Sequence, residues 1–427
     1  MMILITIIHA VAIAGLSLLI WRKQTVLKGF FWPALTMKMA AGVILGLVYT
    51  YYYSVADTFV YFLDASTLAS LAHDNFSTYL DLLFFNRHLE TVQLALVEPR
   101  ALFLTKITSL FSIATHNNYW VIGCYYSLIS FLSAWYLVQV IVRNIPSVSN
   151  AAIAGFLFLP SVVFWTSGLL KESLSVAALF FLISAFLKFW FKKKLYVWEY
   201  PLIIFSLWIL WNLKYYFAGV FIPVVSTTLF YRLVFRNRFS SSAALETGIW
   251  MCLLILPVVL VSLLHPNFNF NRLLDVIVLN NATYNSLSDP GDFVRFQELE
   301  PTVLSVVRNA PQALFSGLFR PLFWEASSII QFVAAVENTI LLMLFLVAGL
   351  RSGSYFASPH RILILSLVVY VAILAVLITI SAPNFGTISR FRVGYISFFA
   401  FIILCNNPVL QYIERSFPTL GSHKGAS

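Results

Sequence analysis

Residues 361–381 read RILILSLVVYVAILAVLITIS. After Arg361 the stretch carries no charge, and about 20 apolar residues suffice for a helix to cross a bilayer. Hydrocarbon offers no water to backbone N–H and C=O groups, so such a run satisfies them internally as an α-helix. Working outward, comparable runs fall at about 2–20, 34–53, 119–142, 150–166, 173–191, 200–214, 216–234, 246–264, 328–350 and 389–406, giving about eleven spans. The runs are continuous rather than alternating, which argues against an outer-membrane barrel. Composition agrees: 60% of the 427 residues are hydrophobic and 10% charged, against about 25% charged in a soluble domain. The 40 Phe and 20 Tyr suit a wide lipid-facing surface with interfacial belts. The expected fold is an all-α polytopic membrane protein: one transmembrane domain over 1–417, then a disordered cytoplasmic tail over 418–427.

Arg22 and Lys23 follow the first run and no basic segment precedes it, so it reads as a retained helix, not a cleaved signal. Cys124, Cys252 and Cys405 each sit in an apolar run, as small core residues would, and frame neither a disulfide nor a thiolate metal site. Placing the N-terminus outside puts most of the 27 Lys and Arg residues on inner loops, among them Lys38, Arg236 and Arg238. Most of the 17 acids then fall outside. This asymmetry accounts for the net charge of +10 through topology, without a nucleic-acid partner. Short loops and unpaired cysteines suit a bacterial inner (cytoplasmic) membrane. Two outer loops are long, at about 54–118 and 265–327. The first contains amphipathic patterns at about 59–73 and 100–114, suited to helices lying on the membrane surface. No inverted repeat of the transporter kind is evident.

The first outer loop opens with Ala56-Asp57-Thr58-Phe59-Val60-Tyr61-Phe62-Leu63-Asp64. Asp57 and Asp64 are two helical turns apart and share one face. Asp57 reads equally well as a helix cap with Thr58 beginning the helix. Asp64 falls mid-helix among Phe62, Leu63 and Leu68, where partial desolvation suits a general base. In Pro160-Ser161-Val162-Val163-Phe164-Trp165-Thr166-Ser167-Gly168-Leu169-Leu170-Lys171-Glu172, Pro160 breaks one helix and Gly168 permits a tight turn. Lys171 and Glu172 then fall near the start of the next helix, where a lysine and free N–H groups favour an anion. The plainer reading is a hairpin whose charges snorkel to water. Lys214 sits among Trp211, Tyr215 and Tyr216 at another outer turn, an arrangement that an aromatic belt alone also produces.

The stretch Phe319-Arg320-Pro321-Leu322-Phe323-Trp324-Glu325 mixes apolar and charged residues and reads as a segment dipping back into the membrane. Arg390 and Arg392 are expected to open the final helix at its outer end, where the helix dipole repels them. A negative partner is therefore required. Arginine forks bind phosphate oxygens bidentately, so a lipid phosphate or pyrophosphate fits, with ordinary headgroups as the plain alternative. Glu337 lies within a span, costly unless paired, and the sequence does not name its partner. Walker, dinucleotide-binding, zinc-protease and paired CxxC motifs are absent. Asn75-Phe76-Ser77 and Asn281-Ala282-Thr283 fit the glycosylation acceptor pattern, which also occurs often by chance.

The exit of a helix into Ala56-Asp57-Thr58 and Tyr61-Phe62-Leu63-Asp64-Ala65, the two interfacial helices that follow, the Pro160–Glu172 hairpin and the terminal Asn384…Gly386-Thr387…Arg390-Phe391-Arg392 together resemble the GT-C superfamily of integral membrane glycosyltransferases of the bacterial surface-polysaccharide type. The resemblance implies sugar transfer on the outer face, from a polyprenyl-phosphate-linked donor to a glycan, lipid or protein acceptor among membrane lipids. It makes Asp57, with Asp64 as second candidate, the general base or a ligand of a divalent metal. Lys171, Glu172, Lys214, Arg320, Arg390 and Arg392 become substrate-binding candidates. No other cofactor is implied. Alternatives are an O-antigen-type polymerase or ligase centred on Arg390 and Arg392, a non-enzymatic transporter of lipid-linked sugars, and a scaffold within an export complex.

Overall fold

The computed structural model describes residues 2–53, 57–235, 242–264, 269–349 and 360–416. Arg236, Arg238 and the tail at 418–427 lie outside these. Helices account for 82% of the structure. Among the described residues the strand content is one isolated bridge, Phe293 with Asn384. In chain order the helices are α1 (Met2–Arg22), α2 (Lys28–Tyr51), α3 (Asp57–Asp74), α4 (Phe76–Phe85), α5 (Pro99–Thr115), α6 (Tyr119–Asn144), α7 (Ser149–Ile153), α8 (Pro160–Trp165), α9 (Lys171–Trp190), α10 (Glu199–Val234), α11 (Ala243–Leu264), α12 (Phe270–Leu287), α13 (Val303–Phe319), α14 (Ile329–Gly349), α15 (Arg361–Ser381), α16 (Phe385–Phe391), α17 (Ile396–Leu404) and α18 (Pro408–Ser416).

Among the described residues eight helices are long and apolar enough to cross a membrane, or up to nine if the bent pair Phe385–Gly394 and Ile396–Leu404 forms one span. The chain is thus compatible with a multi-pass membrane protein. Two places separate this from the expected eleven. Over 150–166 the chain forms α7, then a π-helical turn at Ala154–Phe158, then the short α8 starting at Pro160. Proline cannot donate to the preceding turn, so the apolar run never becomes one long helix. Residues 200–214 and 216–234 are two helical arms, numbered together as α10, that meet at a kink at Lys214 (φ −143°, ψ 64°), the place where the sequence divides them.

The chain divides into two compact units: residues 1–144 with 162–218, and residues 145–161 with 219–427. In the first, α9 is almost wholly buried and packs along α6, while α3 packs on α5. Such burial requires an all-round apolar surface with small residues for close approach. Ser173, Ser175, Ala177, Ala178, Ser184 and Ala185 supply the small positions. By contrast α1 exposes Ile3, Leu4, Ile7, Ile8 and Val11, and its polar anchors are His9 Nδ1 with the Tyr125 hydroxyl (2.7 Å) and Thr6 with Asn118 (2.9 Å). Helices are present at both expected amphipathic patterns, as α3 and α5. Lys106 of α5 closes the end of α4, donating to the carbonyls of Leu82 (2.5 Å) and Leu83 (3.0 Å) and to Asn86 Oδ1 (2.5 Å). Burial pushes its ammonium below the usual lysine range.

In the second unit α13 packs closely against α15. A Cβ at Gly317 would lie 2.5 Å from Thr379 Oγ1 and 2.9 Å from the Ala375 carbonyl, so only glycine admits this approach. The segment after α13 runs inward beside α14: the Pro321 carbonyl accepts from Asn338 Nδ2 at 2.8 Å, and Phe319 packs on Phe345 and Phe399. Asn338 lies about 14 Å along α14 from Ile329. The chain then turns back to begin α14, with Pro321 held against the middle of that helix.

The cysteines depart from the core reading. Cys252 is exposed and Cys124 and Cys405 are half-buried, and none of the three is in a disulfide. Asn281 is buried with its amide on the Ile380 carbonyl (2.6 Å), which removes it as a glycosylation acceptor. Asn75 caps α4 through the Thr78 N–H (3.1 Å). Lys38, expected on an inner loop, lies buried in the middle of α2.

Candidate functional site

The turn between α8 and α9 builds the first cluster. Thr166 and Ser167 return their hydroxyls to the carbonyls of Val162 (2.6 Å) and Val163 (2.5 Å), closing α8. Gly168 then adopts φ +65°, which reverses the chain without the clash a Cβ would bring. Its N–H donates to Ser127 Oγ at 2.9 Å, and its carbonyl accepts from Ser173 Oγ at 2.8 Å. Leu170 is extended and α9 starts at Lys171.

Thr58, in the first turn of α3, meets this turn directly: its hydroxyl donates to the Leu169 carbonyl (2.8 Å) and contacts the Tyr119 hydroxyl (3.0 Å). Lys171 Nζ lies over the Tyr61 ring at 5.0 Å. Tyr61 is one helical turn beyond Asp57 on the same face, so Lys171 reaches the Asp57 side of α3. Asp57 is the first residue of α3 and is half-buried. A carboxylate there is also favoured by the helix dipole.

Glu172, fully buried in the first turn of α9, pairs with Lys214 at 2.8 Å. Lys214 is the residue at which α10 breaks, and its Nζ also lies over the Tyr216 ring at 5.5 Å. Arg100 stacks on Tyr215 at 5.2 Å, while Phe103 packs on Trp208 at 4.7 Å, bringing the start of α5 to both sides of that break. Four of the expected site residues, Asp57, Lys171, Glu172 and Lys214, therefore gather around the first turn of α9. Arg100 and Tyr119 join them. The signal for both was in the sequence: each stands in the first turn of a helix.

Asp64 stands apart from that cluster. It is 4% exposed, and its two oxygens accept the N–H groups of Ala95 (2.9 Å) and Leu96 (3.0 Å). The carboxylate fixes the loop that leads into α5. Replacing Asp64 by Ala leaves two amides without their acceptor, so we expect a loss of about 1–3 kcal/mol. Faster hydrogen exchange at Ala95 and Leu96 would register it; unchanged exchange would rule out the latch.

In the second unit the arginines occupy other surroundings than expected. The short helix α16 begins after Asn384, whose Oδ1 accepts the Thr387 N–H at 3.1 Å. Arg390 and Arg392 thus lie at its C-terminal end, where the helix dipole favours cations. The expectation that they open the final helix is corrected by this cap. Arg392 is fully buried and donates to Glu337 Oε1 (3.2 Å) and to Asn338 Oδ1. Glu337 also accepts the Ser161 N–H and hydroxyl, each at 2.6 Å. The negative partner of Arg392 is therefore Glu337, and Glu337's costly place in a span is explained. Arg390 is half-buried. Arg320 pairs with Glu325 and lies over the Phe385 ring at 5.0 Å.

Among the described residues no three His, Cys, Asp or Glu side chains gather into a metal-binding group. Compared with protein-family models, curated proteins and solved structures, the chain matches none.

Proposed function

We propose that the chain is a membrane glycosyltransferase that moves a sugar from a polyprenyl-phosphate-linked donor to an acceptor, in cell-surface glycan synthesis, with the first turn of α9 as its centre. The observation that carries this reading is Lys171 lying over Tyr61, one turn from Asp57. It sets a carboxylate beside a cation at a helix start, the pair that the reaction needs. An acceptor hydroxyl attacks the anomeric carbon, and its proton passes to Asp57 as the new C–O bond forms. The bond to the lipid phosphate breaks, and Lys171 with the positive end of α9 takes up the charge left on the phosphate. The Glu172–Lys214 pair keeps that helix start in register with the break in α10.

Purified protein in liposomes, supplied with a labelled polyprenyl-phosphate sugar and acceptor, tests the assignment. Asp57→Asn is expected to lower transfer about 10²–10⁴-fold with unchanged thermal stability. Parental transfer in that variant would refute the role of Asp57.

A second reading, a transporter of lipid-linked sugars, is favoured by the buried charges Lys38, Glu337 and Arg392, the first two in the middle of long apolar helices. It predicts protein-dependent passage of a fluorescent lipid-linked sugar across the bilayer, unaffected by Asp57→Asn. Failure of such passage in sealed vesicles would discard it.

A further inference from the structure

Lys38 lies in the middle of the apolar helix α2 and is 6% exposed. A lysine so placed is expensive, and methionine would fill similar volume without a charge to bury. Its partners are two neutral oxygens at the end of α8 and the start of the turn to α9: the Val163 carbonyl at 3.4 Å and the Thr166 hydroxyl. Among the described residues it forms no ion pair. The direction of the Thr166 bond is fixed, because that hydroxyl already donates to the Val162 carbonyl at 2.6 Å. Thr166 Oγ1 therefore accepts from Nζ.

One turn further along α2 is Gly42. A Cβ there would fall 2.5 Å from Ser127 Oγ and 3.3 Å from the Gly168 nitrogen. The next turn brings Leu45, whose Cδ2 would stand 3.1 Å from a Cβ at Gly168. Lys38, Gly42 and Leu45 share one face of α2. They give the turn a donor, a gap and an apolar stop. The gripped turn carries the Leu169 carbonyl that holds Thr58 and leads without a spacer into Lys171 and Glu172. The amine is thus linked through the turn to both groups that face the proposed chemistry.

We infer that Lys38 is a positioning residue: through Thr166 and Val163 it sets the turn that places Lys171 beside Asp57. For its catalytic consequence this rests on the glycosyl-transfer reading; the geometric claim does not, and the experiment separates the two. In full-length protein with Cys124, Cys252 and Cys405 changed to alanine, nitroxide labels are placed at Thr67→Cys, exposed on α3, and at Lys171→Cys. Their distance distribution is measured with Lys38 present and with Lys38→Met. In unlabelled protein, kcat and donor KM are measured for Lys38→Met, Thr166→Val and the double variant.

The expected result is a shifted or broadened distance with Lys38→Met. Transfer should show at least a tenfold fall in kcat, reproduced by Thr166→Val and not compounded in the double variant, as for residues acting through one contact. An unchanged distance overturns the inference whatever the activity. A shifted distance in a protein whose parent transfers no sugar supports the positioning and refutes the glycosyl-transfer reading instead. Should Lys38→Met fail to fold, Thr166→Val decides in the same distance measurement: a shift supports the link, and a parental distribution refutes it.

Discussion

Arg392→Met is expected to prevent recovery of folded protein, or to lower its stability by about 3–5 kcal/mol. The reason is what remains behind. Glu337 sits about 12 Å into α14 from Ile329, and its carboxylate would keep only Ser161 as partner. Removing one member of a buried ion pair leaves an uncompensated charge in a medium that solvates it poorly. Removing both is different, since a packed apolar pair of similar volume is often neutral or stabilising. The double variant Arg392→Met with Glu337→Leu should therefore regain much of the loss, although Asn338 and Ser161 would each forfeit a partner. Thermal unfolding in detergent, read by size-exclusion of the monomeric fraction, checks both. A single variant as stable as the parent would show that the pair does not hold α14 to the end of α16.

Glu172→Ala is expected to cost a similar amount, about 3–5 kcal/mol, because Lys214 is 4% exposed and would lose its counter-charge. The damage should be local in a way that the Arg392 damage is not. Lys214 occupies the one residue of α10 with non-helical dihedrals, so the pair fixes where that helix bends. Hydrogen exchange should rise around 212–217 before the rest of the first unit loosens. Glu172→Gln, which keeps a hydrogen-bond acceptor, should cost less. Equal protection across α10 in Glu172→Ala and parent would mean that the bend is set by the backbone alone.

The helical class was readable in the sequence because hydrocarbon imposes one solution on long apolar runs, and α3 and α5 followed from local periodicity. What escaped depended on residues far apart in the chain. Nothing near Glu337 announces Arg392, and nothing near Asp64 announces the amides of Ala95 and Leu96. Each carboxylate is satisfied by a partner that only packing supplies. The placement of Arg390 and Arg392 at a helix end has a local signal, since Asn384, whose Oδ1 accepts the N–H three residues on, is a cap pattern. Counting 150–166 as one span gave too little weight to Pro160. Lys38 was assigned to a loop by its charge although it lay inside an apolar run. Asp57, Lys171, Glu172 and Lys214 were each visible by residue type and outer-end position, but their meeting at one helix start was not.

The Ser161–Glu337–Arg392 contact also has a history in time. The serine is made first, the glutamate 176 residues later, and the arginine a further 55 after that. At roughly 5–20 residues per second of synthesis, the acid exists for several seconds before its cation does. During that interval α14 must enter the membrane on the apolarity of its other residues, with the hydroxyl and amide of Ser161 as its first shelter. Arg392 then arrives as the closing piece. The order of birth makes the final helices the step that commits the second unit, so a chain stopped after α15 should be far more open to degradation than its loss of length alone would suggest.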